Sequence, residues 1–256
     1  MANLIIDIQN VSKSFGDFTV LDGVSVKVHE GENLVVFGKS GTGKSVLLKC
    51  LVGLLEPDQG NIEVYGQSVL KMKKKEMDAY RKNLGFLFQS AALYDSMTVR
   101  ENLEFPLRKN FKFSEEEIRA KAERALQMVD LSHAIDKMPS ELSGGMRKRV
   151  GLARSIITEP KIMLYDEPTT GLDPITTKEI SKLIRNLQQE LKMTSIIVTH
   201  DMICAQIIAD RAIVLHKGKV VIEGSLNELI SSNNPFLINF FSPDIIEETN
   251  GEIDGF

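Results

Sequence analysis

Gly38-Lys39-Ser40-Gly41-Thr42-Gly43-Lys44-Ser45 reads G-x-x-x-x-G-K-[ST], the spacing of a phosphate-binding P-loop. Glycines at these positions let successive backbone N–H groups turn into one concavity. A helix starting behind them adds the positive end of its dipole. Lys44 is placed to reach the β- and γ-phosphates of a nucleoside triphosphate, and the Ser45 hydroxyl to ligate Mg²⁺. Three more polar positions each follow an apolar run: Gln89, the acid pair Asp166-Glu167, and His200. A carboxylate closing an apolar strand is held rigidly enough to fix Mg²⁺, which makes Asp166 the candidate. Glu167 beside it can orient and polarise a water attacking the γ-phosphate in line. The implied chemistry is nucleotide binding with phosphoryl transfer to water.

Positioning these groups requires strands that end together. Residues 34–37 read as a buried strand running into the loop, and residues 46–52 as the helix leaving it, expected to stop at Glu56-Pro57-Asp58 because proline cannot continue a helix. Residues 84–88, 161–165 and 196–199 are further buried strands, and Gln89, Asp166-Glu167 and His200 fall at their carboxyl ends. The first thirty residues read as antiparallel β structure, with Val24, Val26 and Val28 alternating after an Asp22-Gly23 hairpin signal. Ile62 and Val64 before Gly66 suggest a short strand, and residues 212–215 and 220–222 a hairpin. Helical character begins near Ser90. Ser114 with Glu117 forms a capping box ahead of the apolar face Ile118, Ala122, Ala125, Leu126 and Val129. A further helix is expected from Arg147, and another on Ile180, Leu183, Ile184, Leu187 and Leu191. Strands alternating with helices predict an α/β fold with a mainly parallel sheet, in which ligands bind beyond the carboxyl ends of the strands.

Composition bounds the rest. A chain of 256 residues, 43% hydrophobic and 26% charged, has ordinary globular balance. No apolar run approaches the length of a membrane span, and the start lacks a basic region and cleavage site, so the expectation is a cytoplasmic protein without a secretory signal. Cys50 and Cys204 have no metal spacing and read as reduced, buried thiols. A net charge of −4 argues against a nucleic-acid partner. Lys71, Lys73, Lys74 and Lys75 read as a solvated helix start. The acidic residues Asp244, Glu247, Glu248, Glu252 and Asp254 mark a tail whose second half is expected to be disordered. The apolar stretch of residues 234–241 before it should dock on something.

Leu142-Ser143-Gly144-Gly145 resembles the signature motif of ABC-type ATPases. Asp166-Glu167-Pro168, Gly171-Leu172-Asp173 and Thr199-His200-Asp201 follow in that family's order. With the P-loop, the resemblance covers about residues 4–228. It implies a P-loop NTPase (RecA-like) core over residues 1–89 and 150–228 with an antiparallel β subdomain. An α-helical subdomain is inserted at 90–149, and a C-terminal segment with the acidic tail fills 229–256. The implied cofactors are ATP and Mg²⁺. The loop from Gly38, Lys39, Ser40, Gly41, Thr42 and Gly43 to Lys44 and Ser45 would hold the phosphates, with Ser45, Gln89 and Asp166 toward the metal. Glu167 would be the catalytic carboxylate, with Gln89 touching the attacking water and His200 holding γ-phosphate and glutamate in register. Phe15, which alone reads as core packing, would stack on adenine. Ser143, Gly144 and Gly145 would contact ATP bound to the other protomer of a homodimer, and Asp173 would join the dimer contact. His29, His133 and His216 match no family position and read as structural or surface residues.

Lys39 stands where the family commonly has proline, and Met146 where importer ATPases have glutamine after the signature glycines. The Met146 variant and the stretch of residues 88–99 look like the Mla/Mkl-type ATPases that serve MCE-protein lipid transporters. The resemblance therefore implies integral membrane permease subunits, an MCE-type lipid-binding protein in the complex, and a location on the cytoplasmic face of the inner membrane. The alternatives are an importer ATPase for a small polar solute and a soluble ABC protein acting on ribosomes or DNA. Residues 234–241 either reach the opposite ATPase, as segments in that group often do, or pack on their own domain.

Overall fold

The computed structural model describes residues 3–241. Strands β1 (Leu4–Phe15) and β2 (Phe18–His29) form an antiparallel hairpin, and β3 (Asn33–Phe37) runs into the P-loop. Helix α1 (Lys44–Leu51) leaves the loop, and β4 (Gln59–Val64) and β5 (Gln67–Ser68) follow. Next come α2 (Lys74–Lys82), β6 (Leu84–Leu87), and the helices α3 (Val99–Asn110), α4 (Glu115–Met128) and α5 (Gly144–Ile156). The chain returns through β7 (Ile162–Asp166), α6 (Pro174–Leu191), β8 (Thr194–Thr199), α7 (Met202–Ile208), β9 (Arg211–His216) and β10 (Lys219–Gly224). It ends with α8 (Leu226–Ile230) and α9 (Pro235–Phe241).

The strands make a four-stranded antiparallel sheet, β2-β1-β4-β5, and a six-stranded sheet, β10-β9-β3-β8-β7-β6. In the larger sheet only β10 is antiparallel to its neighbour. This is the α/β architecture that the alternating pattern predicts. Alternation divides even the fully buried strands between two cores. Leu34, Val36, Ile196 and Val198 face α1 and the antiparallel sheet. Val35, Phe37, Ile197 and Tyr165 face the helices on the other side. Parallel register then sets the ends together: Phe37 pairs with Thr199, Asp166 with Val198, and Leu87 with Tyr165.

Several boundaries differ from expectation. The β1–β2 turn lies at Gly16-Asp17, while Asp22-Gly23 sits inside β2 at a bulge, where Gly23 is left-handed (φ 65°) and its N–H donates to Ser12 Oγ. Helix α1 ends before the proline. Gly53 takes φ 67°, and the N–H groups of Gly53 and Leu54 return to the Cys50 and Lys49 carbonyls, a left-handed C-terminal cap. Residues 84–87 form a half-buried edge strand rather than a fully buried one. Helix α5 begins at Gly144, three residues ahead of Arg147, because Ser143 caps it with Oγ accepting from the Met146 N–H. The expected 149/150 subdomain boundary therefore falls within one helix.

The Ser114–Glu117 box caps α4, and Ile118, Ala122, Ala125, Leu126 and Val129 are all buried. Ile118, Leu126 and Val129 each contribute about 1.5–3 kcal/mol when fully buried, and the two alanines less. Cys50 and Cys204 are buried free thiols, with burial raising their pKa values to about 11 and about 12. Helix α9 packs on its own domain: Leu237 is buried, and Phe240 and Phe241 meet Phe37 edge-on at 6.3 and 5.4 Å. His216 lies against Phe236. The acidic tail lies outside the described residues.

Candidate functional site

Strand β3 delivers the P-loop at the carboxyl edge of the sheet, where the loop makes two turns that demand glycine. Gly43 has φ 98°, and a Cβ there would stand 2.6 Å from the Val20 carbonyl. At Gly38 a Cβ would meet Thr42 Oγ1 at 2.4 Å and the Leu215 carbonyl at 2.8 Å. Gly43 is also the N-cap of α1, and no side chain caps that helix. Its first N–H groups therefore point into the loop without a competing acceptor from a capping side chain, as an anion site requires.

Lys44 is buried to 6% exposure, and its ammonium donates to the Gly38 and Lys39 carbonyls at 2.7 and 3.1 Å. It also stands 3.5 Å from Glu167 Oε1. Thr42 Oγ1 donates to the Lys39 carbonyl, while Lys39 and Ser40 are exposed. Ser45 Oγ donates to Asp166 Oδ1 at 2.8 Å, joining the start of α1 to the end of β7. Glu167 has φ 52°, which turns its carboxylate back toward the loop. His200 Nδ1 lies 2.9 Å from Glu167 Oε2, and Thr170 Oγ1 donates to the same oxygen at 3.4 Å. Lys44, Ser45, Gln89, Glu167 and His200 line one cleft of about 620 Å³, with Val20 of β2 on its wall.

A hydroxyl (Ser45), a carboxylate (Asp166) and an amide oxygen (Gln89) are hard oxygen donors that suit Mg²⁺. Among the described residues no group of three or more His, Cys, Asp or Glu could hold a metal. The donor set thus fits a cation that also takes substrate phosphate oxygens rather than one caged by protein.

Other expected site residues lie apart. Phe15, at the end of β1, is 50% exposed rather than packed in the core, and does not line this cleft. Ser143 and Gly144, both exposed, and the half-buried Gly145 form the start of α5. They sit beside the first turn of α6 and the loop before it, since a Cβ on Gly145 would meet Thr176 Cγ2 at 2.9 Å and one on Gly144 would approach Leu172. Asp173 is the N-cap of α6, accepting from the Ile175 and Thr176 N–H groups at 2.9 and 3.0 Å and from Thr176 Oγ1 at 2.5 Å. The Thr176 hydroxyl bond is the main cause of its lowered pKa.

Sequence reasoning missed Val20, Thr170 and Lys148. The Lys148 ammonium is buried and donates to the Gln89 carbonyl and, at 3.4 Å, to the Glu167 carbonyl. Burial lowers its pKa against the pull of the Glu167 and Asp166 carboxylates. Within Met146-Arg147-Lys148-Arg149 it reads as one of three solvated cations, and only the phase of α5 against its neighbours singles it out.

The family profile described as ABC transporter matches residues 21–170. A Mycobacterium leprae protein, named as the ribonucleotide transport ATP-binding protein mkl, is 40% identical over 93% of this chain and 68% of its own length. The intermembrane phospholipid transport system ATP-binding protein MlaF of Haemophilus influenzae is 37% identical over 98% of this chain and 92% of its own. The sulfate/thiosulfate import ATP-binding protein CysA of Bradyrhizobium diazoefficiens is 39% identical over 95% of this chain and 70% of its own. Among solved structures, a dimeric post-hydrolysis state of the ATP-binding cassette MJ0796 with ADP and Pi superposes with a TM-score of 0.79 at 33% identity, covering 87% of this chain and 99% of that one. The cbiO1 subunit of the Clostridium perfringens cbiONQ transporter gives a TM-score of 0.83 at 30% identity, covering 97% and 99%.

Proposed function

The chain belongs to the ABC transporter family as one of its ATP-hydrolysing subunits, and on that premise we propose that it powers lipid movement through separate membrane subunits. The observation that carries the lipid reading is the near full-length similarity to MlaF, a phospholipid transport ATPase. Met146 after the signature glycines supports it. The similarity to CysA, a sulfate/thiosulfate importer ATPase, favours a second reading, in which the cargo is a small polar solute.

Both readings share one mechanism. Lys44 and the N–H groups at the start of α1 hold the phosphates of ATP, and Ser45 and Asp166 would hold Mg²⁺, with Gln89 lining the same cleft as a further oxygen donor. The cation would neutralise charge on the phosphate oxygens. Glu167 orients a water in line with the γ-phosphate, and His200 fixes that carboxylate from 2.9 Å. Phe15, exposed outside the cleft, stacks on adenine. Ser143 to Gly145 carry the helix-start N–H groups of α5 to ATP held by a second copy, with Asp173 at the same interface. Two copies close around ATP and reopen after hydrolysis. The dimeric post-hydrolysis state of the MJ0796 cassette with ADP and Pi supports this cycle.

Among the described residues no helix is long and apolar enough to cross a membrane, so membrane attachment would come through permease subunits. An aromatic groove of about 860 Å³, with Phe86, Phe88, Tyr94 and Phe105 on its walls, adjoins the segment that carries Gln89. A permease segment seated there would pull directly on the ATP site. The subunit would then sit on the cytoplasmic face of the inner membrane, with the core, helical and C-terminal parts dividing the labour as the sequence suggests.

Isolation of the complex from its own membrane tests the reading. Co-isolation with a polytopic permease and an MCE-type protein is expected. A periplasmic solute-binding protein in their place would favour the polar-solute reading, and ribosomes or DNA without membrane protein would sink both.

A further inference from the structure

Helix α5 carries Ser143 to Gly145 at its start, and one stripe of its surface grips the segment that holds Gln89. Lys148, Gly151 and Arg154 recur at three-residue spacing, the ridge along which helical neighbours align. The Lys148 ammonium donates to the Gln89 carbonyl and Arg154 donates to the Ala91 carbonyl at 2.9 Å. Between them Gly151 lies so close that a Cβ on it would stand 2.8 Å from Ala91 Cβ. Ala91 and Ala92 are themselves left-handed, with φ 60° and 48°, so this segment keeps its shape only while its neighbours hold it.

Lys148 reaches one step further, to the Glu167 carbonyl at 3.4 Å. A solvated lysine would extend its ammonium to water, whereas this one, 6% exposed, turns inward between two loops of the site. Burying an ammonium is costly unless its donors find acceptors, and two backbone carbonyls provide them. Glu167 needs such support. With φ 52° it holds a left-handed backbone that its Cβ disfavours. Its N–H donates to the Val198 carbonyl at 2.9 Å, and its carbonyl accepts from the Thr170 N–H at 3.3 Å and from Lys148.

We propose that Lys148 is a positioning residue that couples the backbone of Gln89 to that of Glu167. A displacement of the Gln89 segment is thereby felt at the peptide that aims the carboxylate. Because the coupling group rides on α5, the half-site offered to a second copy is tied to both. The inference rests on Glu167 as the water-orienting acid, and its test separates the two ideas.

The full chain is compared with Lys148→Met, Lys148→Arg, Arg154→Met and Glu167→Gln in steady-state MgATP hydrolysis, MgATP affinity and melting temperature. Lys148→Met should lower kcat about tenfold, the effect of one charge-assisted hydrogen bond, with KM within about twofold. Lys148→Arg should recover most of that loss. Arg154→Met, which frees the same segment without touching Glu167, should lower kcat less than Lys148→Met. If Lys148→Met fails to fold, Lys148→Gln takes its place, with kcat expected between those of the parent and Glu167→Gln. Parent-like kcat in the neutral variant overturns the proposal, as does a loss shared equally by kcat, affinity and melting temperature. Near-normal hydrolysis by Glu167→Gln would instead remove the reading of Glu167 on which the proposal stands.

Discussion

At the residue scale the site is a chain of short contacts: Ser45 to Asp166 at 2.8 Å, Lys44 to Glu167 at 3.5 Å, Glu167 to His200 at 2.9 Å. Each joins a different loop, so each side chain is oriented by a partner that local sequence does not supply. His200 is the most exposed member and bonds Glu167 through a single nitrogen, which suits a group that orients rather than binds. His200→Ala is therefore expected to lower kcat by roughly ten- to a hundredfold while MgATP affinity stays within about threefold. Equilibrium nucleotide titration beside steady-state hydrolysis checks this split. Most of these residues were legible in the sequence because a loop glycine or a strand-terminal acid has few other uses. Lys148 was not, since its partners are backbone carbonyls far along the chain, and Thr170 was not, since its hydroxyl meets Glu167 only through the left-handed turn at that residue. Asp173 was read for its place in a motif, whereas the structure also makes it a helix cap.

At the element scale, parallel strands carry the argument. Residues following β3, β6, β7 and β8 meet because those strands run side by side with their ends in register. Alternation and strand-end polarity revealed that arrangement, but boundaries set by backbone geometry escaped. Gly53 ends α1 by a left-handed turn ahead of the more obvious Pro57, and Gly23 makes a bulge where its pairing with Asp22 suggests a hairpin. Helix α9 buries Leu237 and covers Phe37, which immediately precedes the P-loop. Truncation after Ser232 should lower thermal stability, since one buried leucine is worth about 1.5–3 kcal/mol, and should leave dimer affinity little changed. Calorimetry and sedimentation of the truncated chain distinguish this from a segment that crosses between copies.

The start of β3 is tied down by Glu32, whose carboxylate accepts from Arg211 Nε at 2.6 Å. Burial alone would raise the Glu32 pKa, but Arg211 and the His29 N–H hold it below 4.5. A depressed folded-state value means stability that is present above the unfolded pKa and lost as pH falls through the folded one. Arg211→Ala should thus shift the acid-unfolding midpoint upward, read by circular dichroism between pH 5 and about 2.

At the scale of the whole molecule, the expected site residues fall into two groups. Lys44, Ser45, Gln89, Glu167 and His200 share one cleft, while Ser143, Gly144 and Gly145 lie at a helix start that does not line it. That helix start carries glycines and no acidic side chain in its first turn, and on the proposed reading ATP held by a second copy meets it there. On the proposed reading cargo and direction are set by membrane subunits, so the lipid reading rests on the similarity to MlaF and on Met146 rather than on the ATP-site residues. If ATP is shared between two copies, sedimentation of Glu167→Gln should reveal it. With saturating MgATP the variant should sediment as a dimer and without nucleotide as a monomer, and adding Ser143→Arg should abolish the dimer while MgATP still binds. A Glu167→Gln protein that binds MgATP yet stays monomeric, or a dimer indifferent to Ser143→Arg, would contradict the account.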